Sequence, residues 1–125
     1  MILLLDAHAV LWAMSEPSSL AVVARSAIES PSNEVVVSAG SVWELEIKRA
    51  LGKIRIEVDL VAELERVGID VLPITAADAT NAARLPQHHR DPFDRMLVAQ
   101  ARRLGAVVVT RDAMFHRYEV DVLPA

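Results

Sequence analysis

The sequence predicts a three-layer α/β/α sandwich around a mainly parallel sheet of four to five strands, on three observations. Short runs of branched apolar residues recur along the chain, from Ile2-Leu3-Leu4-Leu5 through Val35-Val36-Val37 to Val107-Val108-Val109. Such unbroken runs, without polar alternation, read as strands buried on both faces. Stretches of helical periodicity lie between them, so strand and helix alternate from end to end. The composition agrees: 53% of residues are apolar but only 4% aromatic, which makes a core of Val, Leu, Ile and Ala. A chain of 125 residues has the length of one domain, and residues 1–125 are expected to fold as one.

Residues 2–5 read as the first strand. Ala7 to Met14 reads as a helix, ended by the cluster Ser15-Glu16-Pro17-Ser18-Ser19. A second helix starts near Leu20 and stops before Ser30-Pro31, and Glu34 to Ser38 is the second strand. Ser41-Val42-Trp43-Glu44 has the form of a capping box. Behind it Trp43, Ile47, Ala50, Leu51 and Ile54 recur at helical spacing until Gly52 disturbs the pattern. Asp59 to Val67 is a short amphipathic helix closed by Gly68, and Ile69 to Leu72 is the third strand. Another helix starts at Thr75-Ala76-Ala77-Asp78 and ends near Leu85-Pro86.

The sharpest boundary follows. Asp91 suits an N-cap, and Pro92 suits the first helical position, where a missing N–H is harmless. Phe93, Leu97, Ala101 and Leu104 form an apolar stripe, Arg102 and Arg103 complement the C-terminal dipole, and Gly105 closes the helix. Ala106 to Thr110 is the fourth strand, and Val120 to Leu123 a short fifth at an edge.

Charge and composition narrow the function. A formal net charge of −4 excludes a generic polyanion binder, so any nucleic-acid contact needs a local basic patch. The chain has no cysteine, which excludes disulfides and thiolate metal sites and suits a reducing cytoplasm. Its amino terminus lacks the pattern of a secretory signal, and no stretch approaches the roughly 18 to 20 apolar residues of a spanning helix. A soluble cytoplasmic protein is expected.

Four acids then stand out: Asp6, Glu44, Asp94 and Asp112, each at or near a helix start, three of them following apolar strands. In an open α/β sheet, carboxylates at strand carboxyl ends converge on one edge, where such folds place their sites. Each also has an ordinary explanation as a cap, a dipole partner or, for Glu44, an ion pair with Lys48. Four independent caps need not face one another, however, and converging carboxylates repel unless a hard cation or a proton joins them. Mg²⁺ or Mn²⁺ suits such an all-oxygen site. The ion would serve phosphoryl chemistry by activating water and stabilising the departing alkoxide. Ser38 and Thr110, at strand ends, are candidates to hold a water or a phosphate oxygen. Lys48, Arg95 and Arg111 beside the acids, with Arg49 and Arg90, are candidates to grip phosphates. His8, His88, His89 and His116 are scattered, with His88-His89 in a loop, and Trp12 and Trp43 read as core or subunit contacts.

The chain resembles PIN domains, and among them the toxins of VapBC-type toxin–antitoxin pairs. The likeness rests on Leu3-Leu4-Leu5-Asp6-Ala7-His8-Ala9-Val10-Leu11-Trp12, on Trp43-Glu44-Leu45, and on Val107-Val108-Val109-Thr110-Arg111-Asp112. Most specific is the block Asp91-Pro92-Phe93-Asp94-Arg95-Met96-Leu97-Val98-Ala99-Gln100-Ala101. The resemblance implies a divalent-metal-dependent endoribonuclease with Asp6, Glu44 and Asp94 around Mg²⁺ and Asp112 as a more variable fourth acid. It also implies a homodimer silenced by a cognate VapB-type antitoxin whose C-terminal segment wraps the toxin. One departure is His8, where many PIN domains carry a small hydroxyl or amide residue.

Two other readings compete. A PIN-like module that grips RNA or a partner without cutting would keep the same residues. A receiver-type signalling domain needs a phospho-accepting Asp at the end of a middle strand, where this chain has Leu72-Pro73-Ile74-Thr75, and a late Lys, whereas Lys48 and Lys53 are its only lysines.

Overall fold

A computed structural model describes residues Met1–Ala125. Its five strands are β1 (Ile2–Leu5), β2 (Glu34–Ser38), β3 (Asp70–Leu72), β4 (Val107–Thr110) and β5 (Asp121–Pro124). Every pairing is parallel, in the order β3-β2-β1-β4-β5. The sheet grows outward from β1, with β2 and β3 on one side and β4 and β5 on the other. The direction of growth therefore reverses between β1 and β4, the switch point at which open α/β sheets form a crevice.

Side-chain alternation divides the core into two layers. Leu3, Leu5, Val35, Val37 and Val109 point toward α1 (Ala7–Ser15), α2 (Val22–Glu29), α3 (Ala39–Ala50) and α4 (Leu60–Arg66). Leu4, Val36 and Val108 point the other way, onto Leu97, Val98 and Ala101 of α6 (Pro92–Leu104). Helix α5 (Ala76–Ala83) packs along α6. Strands covered on both faces account for the unbroken apolar runs. None of the helices is long and apolar enough to cross a membrane.

The anticipated start of α6 is present: the Asp91 carboxylate accepts from the amides of Phe93 and Asp94, and Pro92 opens the helix. Gly105 closes it at φ 63°, a left-handed conformation that suits a residue without Cβ. Three local expectations change. The second helix begins at Val22, because a short 3₁₀ turn at Pro17–Ser19 intervenes. The capping box is not at Ser41: helix α3 starts at Ala39, and Ser38 caps it by accepting the Gly40 amide at 3.0 Å. Glu44 therefore lies inside the helix and receives Lys48 Nζ at 2.8 Å. Trp43, expected in the core or at a subunit contact, is not core; it is 63% exposed, with its ring edge-on to Phe93 at 5.3 Å.

A capping box does exist at Thr75 and Asp78, which exchange amide hydrogen bonds at the start of α5. Asp78 is only 1% exposed and also takes Arg103 Nε at 2.7 Å, so the two helices are pinned together. The Arg103 hydrogen bond, chiefly, holds this carboxyl down at about 2. A depressed acid stabilises the fold above its ordinary pKa, and that contribution disappears as pH falls through about 4 toward 2. Asp78→Ala is expected to remove on the order of 2–4 kcal/mol at pH 7, since a cap and a partner cation are lost together. Urea denaturation at pH 7 and near pH 2.5 checks this, because the difference between variant and parent should shrink in acid.

Candidate active site

Asp6, Glu44, Asp94 and Asp112 line one cleft of about 280 Å³ over the switch point, together with Asp91, His89, His8, Trp12, Lys48 and Arg111. Asp6 ends β1 and caps α1. Its Oδ1 accepts the Ala9 amide at 2.8 Å, and its Oδ2 accepts the Thr110 hydroxyl at 2.6 Å. Thr110 in turn accepts the Asp112 amide at 3.0 Å, so one hydroxyl ties the ends of β1 and β4 to the acid beyond. A carboxylate oxygen has a second lone pair, so capping leaves Asp6 able to bind a cation. Glu44 enters from α3 and Asp94 from the first turn of α6. The Asp112 side chain is 36% exposed, that of Asp94 19% and that of Glu44 14%, while Asp6 is a buried residue, so Asp112 stands at the rim and Asp6 at the floor.

The charge balance points to a cation. Five carboxylates line the cleft, against the cationic side chains of Lys48 and Arg111. Burial, then the charge of Asp91 and, more weakly, those of Glu44 and Asp6, raises Asp94 from the ordinary 3.8 to about 7 against the opposing influence of His89. Burial also raises Asp6, although the Thr110 hydrogen bond opposes it. Acids so shifted either hold protons or share a cation, and an oxygen-only donor set suits a hard divalent ion.

Not every expected side chain reaches this cleft. Ser38 is fully buried at the start of α3, its hydroxyl committed to the helix cap. Arg95 is also buried, and its guanidinium turns away from the acids to donate to the carbonyls of Ala82, Ala83, Leu85, Pro86 and His89. It sits at the carbonyl end of α5, where the helix dipole favours a cation. Both are corrections to their expected place as phosphate contacts. Thr110 is buried against Asp6 and so orients an acid instead of facing a substrate. Arg111 lines the cleft, but its nitrogens donate to the carbonyls of Ala125 and Ser19, and its carbon lies 4.0 Å from the Trp12 ring centroid. Lys48 lines the cleft while paired with Glu44.

His89 is the residue the sequence reading missed. Its Nε2 lies 2.8 Å from Asp112 Oδ2 and 2.9 Å from Asp94 Oδ2. Its position two residues before the Asp91 cap was a usable signal, since that places it beside the entrance to α6.

The PIN domain family profile matches residues 3–121. The chain is 32% identical over 112 residues to Ribonuclease VapC22 of Mycobacterium tuberculosis, an alignment covering 87% of this chain and 85% of that protein. Among solved structures, it superposes on VapBC2 from Rickettsia felis, bound to a promoter DNA fragment, with a TM-score of 0.72 at 16% identity over 98% of each chain. FitAcB from Neisseria gonorrhoeae gives a TM-score of 0.63 at 25% identity, covering 99% of this chain and 97% of the other.

Proposed function

The chain belongs to the PIN-domain family, and from that membership we propose that it is the toxin of a VapBC-type pair, a metal-dependent endoribonuclease. It cleaves RNA phosphodiester bonds by hydrolysis and is neutralised by a cognate VapB-type antitoxin. The observation that carries the reading is the meeting of Asp6, Glu44, Asp94 and Asp112 in one cleft at the sheet's switch point. Asp6, Glu44 and Asp94 would hold the divalent ion, Mg²⁺ or Mn²⁺, with Asp112 at its outer side. When bound, such an ion supplies Lewis acidity toward the phosphodiester and the attacking water.

The chain's own residues supply placement. Thr110 fixes Asp6, the amide of Ala9 fixes its other oxygen, and Lys48 restrains Glu44 while offering positive charge at the wall of the cleft. Lys48 and Arg111, the two cationic side chains lining the cleft, would meet an RNA phosphate there. Trp43, Ile47 and Leu51 form an exposed apolar stripe along α3, a surface suited to a second subunit. We place the protein in the cytoplasm, where a chain without cysteine finds the reducing conditions it suits.

Metal removal is the test. Purified protein incubated with a defined RNA and Mg²⁺ is expected to release discrete fragments, EDTA to stop the reaction, and restored Mg²⁺ or Mn²⁺ to restart it. Equal RNA binding with and without the ion, and no fragments in either case, would favour a binding module and overturn the nuclease reading.

A further inference from the structure

His89 presents one ring nitrogen to the two outer acids, and its Nε2 and their oxygens lie close enough together to hold a metal ion. The other ring nitrogen argues against that use. Nδ1 accepts the backbone amide of Asp91 at 3.2 Å. An accepting Nδ1 carries no proton, so in the neutral imidazole the proton is on Nε2. Nε2 is then a donor facing the carboxylates of Asp94 and Asp112, and its lone pair is not available to a metal. Coordination through Nε2 would require a proton on Nδ1, directed at the Asp91 N–H.

The ring is held from several sides. The His89 amide donates to the Tyr118 hydroxyl at 3.0 Å, and the ring meets Phe115 edge-on at 6.2 Å. The Tyr118 hydroxyl donates to the Pro86 carbonyl at 2.8 Å, and Arg95 donates to the carbonyls on either side of the turn, Pro86 at 3.0 Å and His89 at 3.3 Å. The segment that delivers His89 is therefore anchored to buried groups of α6 and of the turn after β4.

We propose that His89 is a positioning residue of the carboxylate site: its Nε2–H bridges Asp94 and Asp112 and holds them at the spacing at which a divalent ion is bound. The two acids come from different parts of the chain, the first turn of α6 and the segment after β4, and His89 is the side chain that joins them. A neutral donor does not cancel their charge, so the site keeps its demand for a cation. Hydrogen-bonded partners of this kind orient a ligating carboxylate and typically contribute about 10- to 100-fold to metal affinity. The inference rests on the reading of the cleft as a divalent-metal site.

Calorimetric titration of the full chain with Mn²⁺ and Mg²⁺, alongside ¹⁵N spectra of the histidine rings, tests it without recourse to activity. His89→Ala is expected to bind either ion about 10- to 100-fold more weakly. His89→Gln, whose amide retains N–H donors, should recover part of the loss. In the wild type, Nε2 should keep its proton when the ion is added. Unchanged affinity in His89→Ala, or no recovery in a folded His89→Gln, would overturn the proposal. Deprotonation of Nε2 on adding the ion would make His89 a ligand and overturn it too. Failure of the wild type to bind any divalent ion would instead remove the metal reading, and this inference with it.

Discussion

Asp94→Asn will lose about a thousandfold of the metal-dependent RNA cleavage, the scale of deleting one main electrostatic stabiliser, and will melt at a higher temperature than the parent above pH 7. Both effects have one origin. Asp94 is buried among like charges and sits at about 7, well above the value an unfolded chain allows. Between about pH 4 and 7 the unfolded state releases a proton that the folded state retains, so stability falls as pH rises through that window. Above it the whole penalty is present. Asparagine escapes the penalty, keeps an acceptor for His89, and gives up the smaller benefit of a negative charge in the first turn of α6, about 0.3–1 kcal/mol. The net gain is on the order of 1–2 kcal/mol at pH 8 in EDTA after partial solvent access is allowed for. Added Mg²⁺ should reverse the ranking, because the parent gains stability by binding the ion and the variant does not. Melting curves in EDTA at pH 5 and pH 8, paired with a cleavage assay, measure all of this. A variant that cuts RNA at the parental rate, or that melts lower at pH 8, would remove Asp94 from the centre of the site.

Arg95→Ala will unfold at much lower urea than the parent. The side chain has no carboxylate partner; its charge is balanced by carbonyls at the end of α5 and in the turn that follows. Truncation leaves these acceptors buried without a donor and opens a gap between α5 and α6. A buried acceptor left without a donor costs about 1–3 kcal/mol, so several together remove a large part of the roughly 5–15 kcal/mol of a typical domain. Arg95→Lys should fall between, since an ammonium cannot span the fan of acceptors that a guanidinium reaches. If Arg95 gripped RNA, the alanine variant would instead keep its unfolding midpoint and show only weaker, less salt-sensitive RNA binding.

The contrast between Asp94 and Arg95, neighbours in one helical turn, shows what the chain's order of residues conveys. Strand runs and the acids that follow them were legible because burial on both faces dictates an apolar run, and a strand's carboxyl end dictates where the next polar side chain emerges. The Asp91-Pro92 cap of α6 was legible for the same local reason. The fate of Arg95 was not, because its acceptors lie on α5 and in the turn beyond, a contact set by tertiary packing. The Glu44–Lys48 pair was legible from its i, i+4 spacing, whereas the cap of their helix was not: Ser38, not Ser41, supplies it. His89 escaped notice because its task depends on Asp112, 23 positions away, and on an amide hydrogen bond that fixes its tautomer. Ser38 shows the opposite error, a strand-end hydroxyl whose lone pair is absorbed by the next helix.

The bond between Thr110 and Asp6 joins groups 104 positions apart, and this governs when the carboxylate cleft can assemble. During synthesis the first acid leaves the ribosome long before β4 and the turn carrying Asp112. A nascent chain therefore has no means of gathering its four carboxylates until Asp112 has emerged. Until the residues through Asp112 have been made, the growing polypeptide carries a partial set of acids and no complete cleft in which a divalent ion could be shared.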